Sequence, residues 1–157
     1  ELIGGMVAGQ RGHFVSTGLI LGASYPAGAL VPEVDADEGD EIGSDVEHYV
    51  AGSRAGHRAP HVPQGDGSSL DLYERTPILL AGHATSAWAD ATVAAADATG
   101  VPVRFHAADV EVAAAYGITG GGAVLVRPDG YIAWRANACS DDRAAALVDA
   151  LTKVFAS

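Results

Sequence analysis

The chain has 157 residues, 20 acidic and 9 basic, with a formal net charge of −11. This length suits one domain with its own core, and 48% hydrophobic with 18% charged residues excludes wholesale disorder. The acidic balance leaves no basic footprint for nucleic acid or an anionic membrane. The sole lysine, Lys153, excludes a P-loop, and the sole cysteine, Cys139, excludes an internal disulfide, a CxxC pair and a thiolate zinc site.

The sequence opens on Glu1 rather than Met and is read as a piece, or a processed form, of a longer chain. No charged n-region leads an apolar core, so no signal peptide is expected. The uncharged stretch 14–32 holds Gly18, Gly22, Pro26, Gly28 and Pro32, and its apolar residues are too sparse for a membrane span. A cytoplasmic chain is expected. Residues 19–31 read as strand, turn, strand, broken by Gly22, Pro26 and Gly28. Then come Glu33, Asp35, Asp37, Glu38, Asp40, Glu41, Asp45 and Glu47 with no basic residue among them, which is most of the excess charge. Calcium-loop spacing fails there: counted from Asp35, the position that needs Gly is Asp40 and the last ligand position is Val46. A solvated acidic loop is the reading. A second broken stretch, 52–67, is rich in Gly, Pro, Arg and His. Residues 1–50 lack the alternation of a self-contained core and are expected to pack on something outside this sequence.

From Thr76 the pattern is regular. Residues 77–81 form a short apolar run, read as a strand buried on both faces. Residues 86–98 are Ala-rich, with Ser86 as a candidate N-cap and Gly100 as a stop. Residues 101–105 read as a second strand, with Pro102 tolerated near its start. Asp109 is placed to cap a short helix through Tyr116, which Gly117 ends. Residues 123–126 make a third strand, Pro128 to Gly130 a turn, and residues 131–134 a fourth strand. In the last segment Ala144, Leu147, Val148, Leu151, Val154 and Phe155 recur on one helical face. The order β-α-β, α, β-hairpin, α implies a parallel pair plus an antiparallel pair. The expected class is α/β: a thioredoxin-like mixed sheet flanked by helices, preceded by an irregular β-containing segment.

A thioredoxin-type enzyme needs a thiolate at the start of its first helix, where the helix N-terminus lowers the thiol pKa. The stretch from His83 to Trp88 has no Cys, and the segment 119–122 before the third strand has no Pro. Cys139 lies near the start of the last helix without a resolving partner and reads as an inert thiol. His57 and His61 are four apart, but Gly56 and Pro60 argue against the helix that would make them joint metal ligands. There is no GxSxG elbow and no GxGxxG. The pairs Gly65/Gly67 and Gly120/Gly122 are each followed by Leu, at 70 and 125, where a third Gly is required. The run 120–122 reads as a site of close backbone approach rather than a phosphate cradle. No catalytic, cofactor-binding or metal-ligating residue is assigned.

Several segments together resemble one family. They are the RAPH run 58–61, the run DGSSLDL at 66–72, the run Ile78 to Leu80, and VLVRPDGYIAWR at 124–135. They look like the C-terminal part of FAD-dependent aromatic hydroxylases, the single-component flavoprotein monooxygenases, notably those of bacterial aromatic-polyketide tailoring. The stretch from Gly18 to Gly22 through Tyr25 and Val31 is similar to the segment that closes their FAD and substrate domains. The resemblance covers about residues 16–155 and implies a thioredoxin-like third domain without redox cysteines. It implies FAD held in an upstream GxGxxG fold and NADPH as reductant, neither bound by this chain. Residues 1–50 would then be the remnant of the FAD/substrate domain and 51–157 a redox-inactive thioredoxin-like C-terminal domain. Its role would be structural or in subunit contacts, with the parent FAD/substrate domain as partner and a homo-oligomer as a second option. The rival readings are a stand-alone thioredoxin- or peroxiredoxin-like enzyme using Cys139, and an acidic binding module.

Overall fold

Ile78, Leu79, Leu80 and Ala81 are all buried, as a strand with neighbours on both sides and cover on both faces must be. They belong to β3 (Ile78–Gly82), an inner strand of the main sheet. A computed structural model of the chain describes residues 17–33, 48–73, 75–82, 86–136 and 142–155. In chain order it holds α1 (Thr17–Gly22), a two-residue hairpin of β1 (Pro63–Gln64) and β2 (Gly67–Ser68), and a 3-10 turn (Ser69–Leu72). After β3 come α2 (Ser86–Thr99), β4 (Arg104–Ala108), α3 (Val110–Ala115), β5 (Ala123–Val126), β6 (Ile132–Ala136) and α4 (Arg143–Phe155).

The main sheet has the order β4-β3-β5-β6. Strands β3 and β4 run parallel from Ile78↔Arg104 to Gly82↔Ala108, while β5 is antiparallel to both β3 and β6. This is the mixed order expected of the thioredoxin-like arrangement. Period-two alternation sends Leu79, Ala81, Leu125 and Ala133 to one face, where Trp88, Ala91 and Ala95 of α2 and Leu147, Leu151 and Val154 of α4 cover them. Ile78, Leu80, Val124, Val126 and Ile132 meet Val112 and Tyr116 with Ala59, Val62 and Tyr73 on the other face.

The helix ends follow local chemistry. The amide of Gly100 donates to the Ala96 carbonyl at 2.8 Å with φ +72°, a left-handed stop that glycine supplies without strain. Asp109 caps α3 by accepting from the Val112 amide at 2.8 Å, and Gly117 follows at φ +59°. Asp142 accepts from the Ala145 amide at 2.9 Å at the start of α4.

Four expectations need correction. Residues 19–31 do not form strand, turn, strand: α1 occupies Thr17–Gly22, with Gly18 and Gly22 buried, and the rest is irregular. An apolar run this short cannot separate helix from strand by period. Pro26 and Pro32 lack the amides a ladder needs, and Gly28 at φ +117° bends the chain between them. The second strand begins at Arg104 rather than Val101, because Pro102 has no donor and pairing starts where the Arg104 amide reaches the Pro77 carbonyl at 3.0 Å. Ser86 is the first residue of α2, so the cap position falls on residue 85, outside the described residues. Of the acidic run only Glu33 is described. Glu33 is not simply solvated: it accepts from the Ala55 amide at 3.0 Å.

Candidate functional site

Residues 57–73 carry two of the segments that drew the family resemblance, and they fold as a lid on the second sheet face. Arg58 bridges to Tyr131, beside β6. The hairpin of β1 and β2 turns through Gly65 at φ +55°. A capping box then starts the 3-10 turn: the Leu70 amide donates to Ser68 Oγ at 3.0 Å, and the Ser68 amide donates to Asp71 Oδ2 at 2.8 Å. Gln64 Nε2 donates to Asp109 Oδ2 at 2.6 Å, which ties the hairpin to the cap of α3.

Beneath this lid lies a buried polar chain. Tyr116 Oη donates to the Pro60 carbonyl at 2.9 Å, and Ser69 Oγ donates to the same oxygen at 2.9 Å. The Val62 amide donates to Ser69 Oγ at 2.9 Å, and the Ser69 amide returns to the Val62 carbonyl at 2.9 Å. With its proton committed to Pro60, Tyr116 Oη is left to accept from Tyr73 Oη at 3.2 Å. Burial, helped by the bond to Tyr116, pushes the Tyr73 phenol well above its ordinary pKa, and burial raises Tyr116 as well. Both stay protonated hydrogen-bond donors, which suits a clamp and not a base.

A second cluster centres on Arg135 of β6. Its guanidinium donates to the carbonyls of Tyr116 at 2.9 Å, Gly117 at 2.8 Å and Ser53, and its Nε lies 3.8 Å from Glu33 Oε1. The side chain is 8% exposed, so burial lowers its pKa while Glu33 opposes the shift. A cation against the last carbonyls of a helix is favourable.

The place where a thioredoxin-like enzyme would carry its thiol is the start of α2. Residues 83–85 and Cys139 lie outside the described residues. Trp88, in the first turn, is fully buried and donates Nε1–H to the Gly121 carbonyl at 2.7 Å. Its ring meets Trp134 edge-on at 6.0 Å, and the Arg143 guanidinium lies 5.5 Å from its centroid. Within the triple glycine the close approach is at Gly122, where a Cβ would stand 2.5 Å from the Ala136 carbonyl oxygen, whereas Gly120 has open space beside it and turns the chain at φ +57°. His57 is buried and His61 exposed. Among the described residues no group of three or more His, Cys, Asp or Glu could hold a metal ion, and no helix is long and apolar enough to cross a membrane. The tyrosine clamp and the Arg135 cluster were not singled out from sequence. Their partners lie 18 to 102 residues apart, apart from the local Ser69 contacts, and no spacing rule joins them.

The family described as aromatic-ring hydroxylase, C-terminal, matches residues 48–157. A 4-methyl-5-nitrocatechol 5-monooxygenase from Burkholderia sp is 40% identical over 147 residues, covering 86% of this chain and 27% of the relative. The tetracenomycin A2 monooxygenase-dioxygenase of Streptomyces glaucescens is 32% identical over 158 residues, covering 92% and 25%. A ternary complex of aklavinone-11 hydroxylase with FAD and aklavinone superposes with a TM-score of 0.75 at 35% identity, covering 90% of this chain and 28% of that one. The chain thus spans about a quarter of the length of the curated relatives it matches.

Proposed function

The chain belongs to the aromatic-ring hydroxylase C-terminal family, and from that premise we propose that it serves as the non-catalytic C-terminal domain of an FAD-dependent, NADPH-using monooxygenase acting on an aromatic, polyketide-like substrate. Its task in that enzyme is structural, holding the parent FAD/substrate domain or a second subunit. The redox reaction belongs to the upstream part, where FAD supplies the oxygen-activating chemistry. The observation that carries this reading is Trp88. At the helix start where thiol chemistry would sit, a fully buried indole is locked onto the Gly121 carbonyl.

The described residues do not fit a flavin. A pyrophosphate needs free amides at a glycine turn opening a helix. Here Gly122 is pressed against the Ala136 carbonyl and leads into a strand. The groove between α2 and the start of α4, about 360 Å³, is lined by alanines with Asp90, Asp142 and Arg143, so two carboxylates outweigh its one cation and its charge does not favour a pyrophosphate. The test is to incubate the purified chain with FAD and NADPH. We expect no retained flavin absorbance and no NADPH oxidation, whereas the full-length parent should be yellow. Stoichiometric flavin on this chain would refute the assignment.

A further inference from the structure

The outer edge of β6 carries a groove, and one segment of the chain lies in it. On its inner side β6 pairs with β5. On its outer side the Gly56 amide donates to the Ile132 carbonyl at 2.8 Å and the Ile132 amide to the His57 carbonyl at 2.9 Å. Where that run leaves off, residues 25–33 take over. The Val31 amide donates to the Ala133 carbonyl at 2.7 Å, and the Tyr25 amide donates to the Gly56 carbonyl at 2.9 Å. Arg127 Nη1 donates to the Ala29 carbonyl at 3.1 Å. The Tyr25 ring stands edge-on to Tyr131 at 5.0 Å, and Leu30 is buried. At the far end Glu33 takes the Ala55 amide and faces Arg135.

The receiving side is shaped for this segment. Gly56 sits at φ +90°, and a Cβ there would lie 2.0 Å from the Tyr25 carbonyl oxygen and 3.4 Å from Leu30 Cδ2. The absent side chain at 56 is the space the segment's backbone fills. We propose that the outer edge of β6 is a docking groove whose occupant is this chain's own residues 25–33, locked by Glu33 on Arg135. These residues precede the matched region 48–157, yet they make the contacts of an integral part of the C-terminal unit. They join α1 to the sheet edge, so they set how α1 is held on the unit. Residues 25–33 and the sheet edge they meet then belong to one body. The same Arg135 donates to the Tyr116 and Gly117 carbonyls, so the lock and the end of α3 share one side chain.

Residue-resolved amide hydrogen exchange on the full chain tests this. In the unaltered chain the Tyr25 and Val31 amides should be protected, and protection should be independent of protein concentration. Gly56→Ala should speed exchange at Tyr25 and Val31 on the order of tenfold or more, while Leu79 and Leu125 in the central strands stay protected. Glu33→Gln keeps the backbone geometry and removes only the charge. It should loosen the same two amides by a smaller factor, and added salt should loosen them only in the unaltered chain. Should Gly56→Ala fail to fold, the Glu33→Gln comparison carries the test. Unprotected Tyr25 and Val31 amides in the unaltered chain, or protection untouched by both variants, would overturn the proposal. Protection that disappears on dilution would also overturn it, by making a second copy the donor of the segment.

Discussion

On one face of the sheet, α2 and α4 lay Trp88, Ala91, Ala95, Leu147, Leu151 and Val154 over Leu79, Ala81, Leu125 and Ala133. On the other, a short helix and an irregular lid cover Ile78, Leu80, Val124, Val126 and Ile132. The first cover satisfies its own backbone inside helices, so packing, joined by the Trp88 bond to the Gly121 carbonyl, holds it down. The second has loop carbonyls and amides to satisfy, and it does so with Ser69, Tyr73 and Tyr116 gathered about the Pro60 carbonyl. The contrast predicts two kinds of sensitivity. The helical face responds to lost volume, and the lid responds to lost hydrogen-bond partners and to alkali.

The largest effect belongs to the helical face. Leu151 is fully buried at the centre of the α4 stripe. Leu151→Ala should cost about 2–5 kcal/mol, against a total of about 5–15 kcal/mol for a domain of this size. Asp149 is exposed and pairs only with Lys153 at 2.7 Å, so Asp149→Ala should cost about 0.5 kcal/mol or less. Urea unfolding midpoints decide between them. Equal shifts would show that α4 is not docked by its apolar stripe.

The same contrast explains what could be read from the residues alone. The strands 78–81 and 123–126 are short unbroken apolar runs and the stripe of α4 is periodic, and both signals survive without knowledge of neighbours. Asp109 and Gly117 were legible because capping is local. The lid was not, because its order comes from Tyr116 reaching back 56 residues to Pro60. Residues 25–33 escaped for the same reason: two hydrogen bonds to distant partners replace a ladder, and neither leaves an alternation in the sequence. The family resemblance of 58–61 and 66–72 marked the lid without giving its physical reason. That reason is the clamp.

On the lid, the next effect in size is at Ser69. Ser69→Ala removes the bond to Pro60 and leaves the buried Val62 amide without its acceptor, a loss of about 1–3 kcal/mol. Tyr73→Phe removes one donor and leaves the Tyr116–Pro60 bond in place, so about 0.5–1.5 kcal/mol is expected. The order Ser69 above Tyr73 is the measurable claim, again from unfolding midpoints. A larger loss at Tyr73 would place the weight of the clamp on the phenol pair instead.

Alkali should separate the two faces without any change in volume. Tyr73 and Tyr116 have phenols raised in the folded state, while the unfolded chain titrates near the ordinary value of about 10. Their contribution is therefore fully present below about pH 10 and is lost as pH rises through the folded values. Stability should fall above about pH 10, and the Tyr73→Phe/Tyr116→Phe double variant should flatten that fall. A residual slope from Tyr49, also raised by burial, will remain. Leu151→Ala should move the whole curve down and leave its slope unchanged, and a steeper slope there would blur the division between the faces.

The smallest effect lies at the joint between lid and sheet, at Asp109. The Val112 amide, then the Gln64 side chain, hold its carboxylate below the usual range. A depressed folded pKa means the contribution is present above the unfolded value near 3.9 and is lost as pH falls through the folded one. Asp109→Asn keeps an oxygen that can cap α3 but no longer titrates there. At neutral pH its unfolding midpoint should stay close to that of the unaltered chain. Below about pH 4 its stability should decline less steeply, because one proton-linked bond has been removed from the balance. Asp109 is only half-buried, so solvent weakens this linkage and the difference in slope will be small. Parallel acid curves would mean that the cap bonds through its oxygen geometry alone and that its charge adds nothing to the attachment of the lid.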